Sequence, residues 1–199
     1  MRIGIVGGSG DFGRGLGARL GALGDEVLLG SRNPERDLVP NDEACERSEL
    51  VFLSVPPGGV EAMAEALAGS VAGKVVVSVA SPVVFRDGQP AVEAAELSLA
   101  ELAQRAMPDA TVVAGFHTVS ARALARVGRP LDEDVILCGD DAEAKEVVAG
   151  IAERLVEGRS VDAGPLHVAR WLEPLTAVLV HVNRRYKAQS GVRVTGLDG

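Results

Sequence analysis

Residues 1–32, MRIGIVGGSGDFGRGLGARLGALGDEVLLGSR, decide the fold of this chain. The apolar run from Ile3 to Gly7 predicts a buried strand, and Phe12 to Leu23 has the apolar spacing of an amphipathic helix. A second strand is predicted from Glu26 to Gly30. The stretch therefore predicts a strand, a helix and a second, parallel strand, which is the repeating unit of an α/β sheet.

The turn between the first strand and the helix carries the spacing G-x-G-x-x-G at Gly8, Gly10 and Gly13. In this position Gly8 permits a tight turn, Gly10 lets the backbone approach a pyrophosphate, and Gly13 lets the helix pack closely on the strand. The helix N-terminus adds unpaired N–H groups and a partial positive charge. The motif predicts a dinucleotide site. A glycine-rich turn that binds nothing is the alternative, but the motif's place directly after a strand argues against it.

The end of the second strand indicates which dinucleotide binds. An NAD site places Asp or Glu there to accept a hydrogen bond from the ribose 2′-hydroxyl. This chain has Ser31 and Arg32, with Arg36 one turn further on. A hydroxyl and two guanidinium groups suit a 2′-phosphate, so the sequence predicts NADP. The alternative is that the arginines are simply solvated in a loop.

Strand and helix patterns alternate along most of the remaining chain, which predicts a Rossmann-type, doubly wound α/β fold with a mainly parallel sheet. We expect a single domain over residues 1–199, in which residues 140–199 form a C-terminal helical extension that closes the substrate side. The further predicted strands are 50–55, 74–79, 112–115 and 135–138, and the further predicted helices are 60–67, 99–105 and 142–155.

Two regions depart from this alternation. Between residues 36 and 50 the chain allows only a short helix around 42–47. Residues 165–187 are apolar at many positions and predict one long helix, which is either buried against the sheet or pairs with another subunit. We expect a homodimer on this basis. The pair Asp140-Asp141 directly precedes the helix predicted from residue 142 and is expected to cap it.

Composition limits the classes of function. The net charge is −8, which argues against nucleic acid as a partner. No apolar run approaches the roughly 20 residues that span a bilayer, and no targeting leader is recognisable, so we expect a cytoplasmic protein. The two cysteines, Cys45 and Cys138, lie far apart and are expected to be buried, reduced thiols.

No familiar catalytic or metal-binding motif is present: the three histidines are widely spaced, and there is neither HExxH nor G-x-S-x-G. Hydride transfer needs mainly positioning, so this absence fits it, and we assign no catalytic residue and no metal. Ligands in such sheets bind beyond the strand ends. There, His117 could bond a ligand ring or merely satisfy a loop carbonyl. Arg122, Arg126 and Arg129 could receive an anionic second ligand or form a solvated face.

Several segments resemble one known family. The segments are residues 1–32, LVFLSVP, KVVVSVASP, VVAGFHTVSA, DVILCGDD and VDAGPLHVARWLEPLTAVLVHVNRRYKAQSGVRVTG. In this order they resemble the NADPH-dependent deazaflavin (coenzyme F420) reductases, over nearly the whole chain. The resemblance implies reversible hydride transfer between the nicotinamide C4 of NADP and C5 of the 5-deazaflavin.

The resemblance also implies roles for individual residues. The shorter chain between the Ser-Arg pair and the third strand, compared with the family, predicts a more open adenine side and weaker NADP binding. By position, the implied pyrophosphate loop is Ser9, Gly10, Asp11 and Phe12, the 2′-phosphate clamp is Ser31, Arg32 and Arg36, the ribose and nicotinamide lining is Val55, Gly59, Ser81 and Ala121, and the residue near the deazaflavin is His117.

Two other functions stay open from the sequence. An NADP-dependent reductase of a small imine or carbonyl would need a proton donor, for which His117 is the candidate. A non-catalytic NADP-binding sensor would bind the cofactor without transferring a hydride.

Overall fold

The computed structural model describes residues 1–93 and 95–197, so residues 94, 198 and 199 of the predicted domain lie outside the described residues. The strands are β1 Arg2–Val6, β2 Glu26–Ser31, β3 Leu38–Pro40, β4 Leu50–Leu53, β5 Val75–Ser78, β6 Val83–Arg86, β7 Gln89–Val92, β8 Thr111–Gly115, β9 Val135–Gly139 and β10 Ser160–Asp162. The helices are α1 Asp11–Ala22, α2 Asn41–Glu46, α3 Val60–Leu67, α4 Leu99–Ala106, α5 Ala121–Leu124, α6 Ala142–Leu155, α7 Ala169–Leu172 and α8 Leu175–Tyr186, and short 3-10 turns lie at Pro57–Gly59 and Leu166–Val168.

Eight strands form one sheet in the order β3-β2-β1-β4-β5-β8-β9-β10. The six strands from β3 to β8 are parallel, β9 is antiparallel to β8, and β10 is parallel to β9. The chain thus winds outward from β1 in both directions, which confirms the predicted α/β fold with its mainly parallel, doubly wound sheet.

Helices cover both faces of the sheet, and the apolar strands pack against them. Ile3 and Phe52 belong to the core on the face covered by α1, α5 and α6. Val51 and Val76 belong to the core on the other face, which is covered by α2, α3, α4 and α7. Neighbouring residues of one strand therefore enter opposite cores, which explains why these strands are apolar at every position.

The region between residues 36 and 50 is more regular than predicted. Besides the expected short helix, now α2, it contains β3, which pairs with β2 from Leu29 opposite Leu38 to Ser31 opposite Pro40. A second unpredicted element is the antiparallel hairpin of β6 and β7, which forms a separate sheet directly after β5. Both elements have strands of only three or four residues.

The prediction of one long helix over residues 165–187 is wrong. The segment contains a 3-10 turn, the four-residue α7 and the twelve-residue α8. Pro174 lies between α7 and α8 and has no N–H group to donate, which interrupts the helical hydrogen bonds. Across the described ranges, no helix has the length and apolar character needed to cross a membrane.

Candidate active site

The turn after β1 has the tight geometry that the glycine motif predicts, but the strained position differs. Gly7, not Gly8, has the left-handed φ of +79°. A Cβ on Gly7 would collide with the carbonyl oxygen of Ser54, so only glycine fits there. At Gly8 a Cβ would lie 2.8 Å from the Cβ of Leu29, so Gly8 allows the turn to pack on β2. Gly7 therefore permits the tight turn, and the prediction that Gly8 does so is wrong.

The predicted roles of the other two glycines fit the geometry. A Cβ on Gly13 would lie 2.8 Å from the carbonyl oxygen of Gly7, so α1 packs against the turn only because residue 13 is glycine. Gly10 is the exposed N-cap of α1, and no side chain caps this helix. The first amides of α1 thus have no intrahelical acceptor and face the edge of the sheet. Such a cradle fits a phosphate group.

A cleft of about 660 Å³ opens beside this turn; we call it the glycine-loop cleft. Of the predicted site residues, it is lined by Ser9, Gly10, Ser31, Arg32, Val55 and Gly59. Ser31 is buried at the end of β2, and its hydroxyl accepts a hydrogen bond from the Asn33 amide at 3.2 Å. Arg32 is exposed and forms no ion pair with any described side chain. This end of the cleft is therefore suited to an anion.

Two predicted residues, Asp11 and Arg36, line neither this cleft nor the second cavity described below. Arg36 is exposed in the turn before β3, with a left-handed φ of 57°. Asp11 is exposed in the first turn of α1. Ser31 and Arg32 are thus brought to the cleft together with the glycine loop, whereas Arg36 is not.

Asn41, which the sequence did not single out, also lines the cleft. It is the first residue of α2 and is buried, with 9% of its surface exposed. Its amide nitrogen contacts Sδ of Met63 at 3.7 Å, and its carbonyl oxygen has no hydrogen-bond partner. The short helix α2 thus closes this side of the cleft with a polar residue. In the sequence, Asn41 resembles any polar residue at the start of a helix.

A second cavity of about 240 Å³ lies on the other side of the glycine loop; we call it the His117 cavity. Phe12 of the glycine loop lines it together with Ser81 after β5 and with His117 and Ala121 after β8. Leu179 of α8 forms part of the opposite wall. The ends of three strand–loop connections and the C-terminal helix therefore meet at one site.

His117 is the most unusual polar group in this cavity. It is 4% exposed, and neither ring nitrogen has a hydrogen-bond partner within the described part of the chain. Burial lowers the pKa of His117 to about 3, so the ring is neutral at physiological pH; the nearby Ala80 carbonyl opposes this shift slightly but lies outside hydrogen-bonding geometry. The loop carbonyl near the ring, that of Ala80, does not meet hydrogen-bond geometry with either nitrogen. The two buried nitrogens therefore have hydrogen-bonding capacity left over for a ligand.

Contacts on both sides hold the loop of His117 in a strained backbone conformation. The preceding residue, Phe116, has a left-handed φ of 64°, which is unusual for an aromatic residue. Its ring packs edge-on against Phe52, with the ring centroids 5.5 Å apart. The His117 carbonyl accepts a hydrogen bond from the Thr176 hydroxyl at 2.8 Å. Packing on one side and α8 on the other thus fix the loop after β8.

The junction between α7 and α8 is tied to the same edge of the sheet through Glu173. Its carbonyl accepts a hydrogen bond from the Ser81 hydroxyl at 2.8 Å. Its carboxylate accepts hydrogen bonds at 2.9 Å from the amides of Leu99 and Ala100 at the start of α4. Burial raises the pKa of Glu173 to about 7, although these two amides oppose the shift. Sequence reasoning missed Glu173 because its partners lie more than 70 residues away.

The family model and the relatives that match over their full length indicate one family. The family model described as "NADP oxidoreductase coenzyme F420-dependent" matches residues 2–82. A protein of Methanocaldococcus jannaschii named "F420-dependent NADP reductase" is 30% identical, over 100% of each chain. The protein of the same name from Methanothermobacter marburgensis is 32% identical over 99% of each chain.

One solved structure is similar over the full length. It is a candidate F420-dependent NADP-reductase from Arthrobacter, which is 28% identical to this chain and superposes with a TM-score of 0.87. The alignment covers 98% of this chain and 99% of that one. The C-terminal segment that walls the His117 cavity is therefore part of the shared architecture.

Proposed function

Because this chain belongs to the family of coenzyme F420-dependent NADP oxidoreductases, we propose that it transfers a hydride reversibly between NADPH and coenzyme F420. Within the site, the proposal rests on His117. Its ring is buried beside the glycine loop, and neither ring nitrogen has a hydrogen-bond partner among the described residues. An apolar cavity next to a dinucleotide cradle suits two flat rings that react face to face.

The glycine loop binds the pyrophosphate in this proposal. Ser9 and Gly10 line the cleft, and the amides of Asp11 and Phe12 lie in the uncapped first turn of α1. These N–H groups and the helix dipole stabilise negative charge without any basic side chain. Asp11 is exposed, so its carboxylate can remain in solvent while its amide faces the phosphate.

Ser31 and Arg32 bind the 2′-phosphate. The Ser31 hydroxyl donates a hydrogen bond to it, and the Arg32 guanidinium supplies charge and two donors in one plane. Because Arg32 has no carboxylate partner among the described side chains, no ion pair must break when a phosphate binds. Arg36 lies outside the cleft lining, so its predicted part in this clamp would require the turn before β3 to move.

In this proposal, the protein accelerates the reaction by positioning the reactants and not by acid–base chemistry. NADPH supplies the hydride when it is bound. Val55 and Gly59 line the ribose side, whereas Ser81 and Ala121 line the nicotinamide side. The neutral ring of His117 forms a hydrogen bond with the deazaflavin, and the buried walls of the cavity exclude water. The reaction requires no metal.

The deciding experiment follows the absorbance of oxidised coenzyme F420 after mixing with the protein and NADPH or NADH. We expect bleaching with NADPH and little with NADH. Tight binding of NADPH without bleaching would refute the proposed reaction. It would favour a reductase of a small imine or carbonyl, or a sensor that binds NADP without turnover.

We also propose that the protein forms a homodimer through its C-terminal segment. Large apolar side chains are exposed on α7 and α8 and on the adjacent hairpin, with Trp171 68%, Val178 55%, Tyr186 70% and Phe85 63% exposed. Exposed apolar area of this kind is typical of contact surfaces between subunits. A monomer in light scattering would refute this proposal. The cytoplasmic location predicted from the sequence remains a prediction.

A further inference from the structure

After α8 the chain continues without helix or strand through residues 188–197, which we call the C-terminal tail. The start of this tail belongs to the His117 cavity, because Ser190 lines the cavity together with Asn183 of α8. The side-chain oxygen of Asn183 accepts hydrogen bonds from the Ser190 amide at 2.6 Å and from the Ser190 hydroxyl at 2.9 Å. The tail therefore supplies part of the wall of the cavity.

The rest of the tail is anchored to Asp134, which directly precedes β9. The Asp134 amide donates a hydrogen bond to the Val192 carbonyl at 2.7 Å, and the Asp134 carboxylate accepts one from the Val194 amide at 2.7 Å. Arg193 forms an ion pair with the same carboxylate at 3.1 Å. The side chain of Asp134 is buried and also accepts a hydrogen bond from the Arg159 amide at 3.0 Å. A buried carboxylate with this many donors fixes the position of the tail.

Gly191 connects the cavity wall to this anchor and packs on the buried side chain of Glu133. A Cβ on Gly191 would lie 2.5 Å from the Cβ of Glu133, which is 5% exposed. Because carbon atoms in contact lie about 3.5 Å apart, a larger residue at position 191 would displace the tail by about 1 Å. Ser190 is the covalent neighbour of Gly191, so this displacement would reach the cavity wall.

The anchor lies apart from both ligand sites. Asp134, Gly191 and Arg193 line neither the glycine-loop cleft nor the His117 cavity. No described residue of the tail lines the glycine-loop cleft. A change at the anchor should therefore affect only the site to which Ser190 belongs.

We infer that the C-terminal tail positions the hydride acceptor, and that Asp134, Gly191 and Arg193 are positioning residues that act through Ser190. The inference rests on the proposed function, because it assigns the acceptor ring to the His117 cavity. With the anchor intact, the wall formed by Ser190 and Asn183 holds the ring in the reactive geometry. With the anchor loosened, the ring gains freedom and transfer slows. NADPH binding does not depend on the anchor.

The experiment measures the bleaching of oxidised coenzyme F420 at saturating NADPH, and the Kd of NADPH by fluorescence titration without an acceptor. The first variant is Gly191→Ala, whose added methyl group displaces the tail. Its matched control is Gly150→Ala in α6, where the added Cβ meets open space. Circular dichroism checks that each variant is folded.

A second set of variants tests the charge of the anchor. Arg193→Ala removes the ion pairs with Asp132 and Asp134, whereas Arg193→Lys keeps the positive charge. The matched control is Arg47→Ala, which removes a similarly exposed arginine from its ion pair with Glu43 in α2.

Misplacement of a reacting group by 1 Å costs up to about a hundredfold in rate, and a cavity wall acts less directly than a reacting group. We therefore expect Gly191→Ala to lower kcat/KM for coenzyme F420 by about tenfold. An exposed ion pair contributes up to about fivefold, so Arg193→Ala should lower this constant by about threefold to fivefold, and Arg193→Lys should restore it. The Kd of NADPH in every variant, and all constants of both controls, should stay within about twofold of the wild type.

Binding of the acceptor should in turn stabilise the tail, because coupling between two sites is reciprocal. The Val194 amide is bonded to Asp134 and lies outside the cavity lining. Its hydrogen exchange in the wild type should become slower when oxidised coenzyme F420 is added. This measurement requires no turnover.

The inference is overturned if Gly191→Ala leaves kcat/KM for coenzyme F420 within about twofold of the wild type, or if it weakens NADPH binding equally. It is also overturned if Arg193→Ala and Arg193→Lys have the same effect, and this pair decides if Gly191→Ala does not fold. If the wild type does not reduce coenzyme F420, the proposed function fails. Hydrogen exchange then decides about the tail, and an unchanged rate at Val194 with oxidised coenzyme F420 refutes the inference.

Discussion

Replacing Arg32 by Ala removes an exposed guanidinium from the edge of the glycine-loop cleft without changing the protein core. Because Arg32 has no ion-pair partner among the described side chains, the substitution leaves no carboxylate unpaired. We therefore expect no change in thermal stability beyond about 2 °C, as for surface substitutions in general. The effect should appear only in the binding of a ligand that carries a 2′-phosphate.

The size of the effect follows from the contact that is lost. Hydrogen bonds to charged groups contribute about 1.5–3 kcal/mol, and exposure to solvent places Arg32 near the lower value. A difference of about 1.4 kcal/mol corresponds to a tenfold change in affinity. Ser31 keeps its hydroxyl in the variant, so part of the phosphate binding remains. We thus expect Kd and KM for NADPH to rise by about tenfold.

The assay measures Kd by fluorescence titration and KM by the bleaching of oxidised coenzyme F420, each with NADPH and with NADH. NADH has no 2′-phosphate, and its constants should change by less than about twofold. The matched control is Arg36→Ala, which removes the same charge from the neighbouring turn but outside the cleft lining. Equal weakening of NADPH and NADH in Arg32→Ala would refute the 2′-phosphate assignment. An equal loss in Arg36→Ala would show that the turn before β3 closes on the phosphate.

Further predictions concern stability. Gly13→Ala would place a Cβ 2.8 Å from the Gly7 carbonyl oxygen, so we expect a loss of about 1–3 kcal/mol in chemical denaturation; an unchanged midpoint would contradict the packing role of this glycine. Asp141 caps α6, so Asp141→Ala should lower Tm by about 2–4 °C in calorimetry, and no shift would show that the cap is dispensable. The folded-state pKa of Glu173 is raised to about 7, so its contribution to stability is complete below its ordinary pKa of 4.5 and is lost as the pH rises through 7. Glu173→Gln should therefore make the free energy of unfolding fall less as the pH rises from 5 to 7, on top of the similar contribution of Glu133 and the opposite contribution of His117, whose pKa is lowered; an unchanged slope would refute this assignment.

The sequence predicted those parts of the fold that depend on local pattern. The parallel strands are buried on both faces and therefore continuously apolar, and α3 and α6 begin and end where their apolar spacing predicts. The cap of α6 was also predictable, because an Asp before a helix has a local partner: the Asp141 carboxylate accepts a hydrogen bond from the Ala144 amide at 2.8 Å. The strands β3, β6, β7 and β10 were missed because they are short and partly exposed.

The candidate site was predictable only where a motif encodes it. Gly10, Ser31 and Arg32 follow from the spacing around two strands, and the structure brings them to one cleft. The contacts of Glu173 are long-range, and neither its burial nor its partners leave a signal in the neighbouring residues. The unpaired nitrogens of His117 also leave no signal in the sequence, because the hydrogen bonds of a buried group depend on the residues that the whole fold places around it.

The Glu173 junction has a consequence for local unfolding. The amides of Leu99 and Ala100 are protected from exchange with solvent by a carboxylate of the C-terminal segment rather than by their own helix. Undocking of α7 and α8 would expose these amides and release Ser81 and the His117 loop in the same step. We therefore expect the loops around the His117 cavity and the start of α4 to open as one cooperative unit, at a higher free energy than the fraying of a terminal helix. A ligand that bridges the His117 cavity would slow this opening further and would be detected as increased protection at α4, a helix that it does not contact.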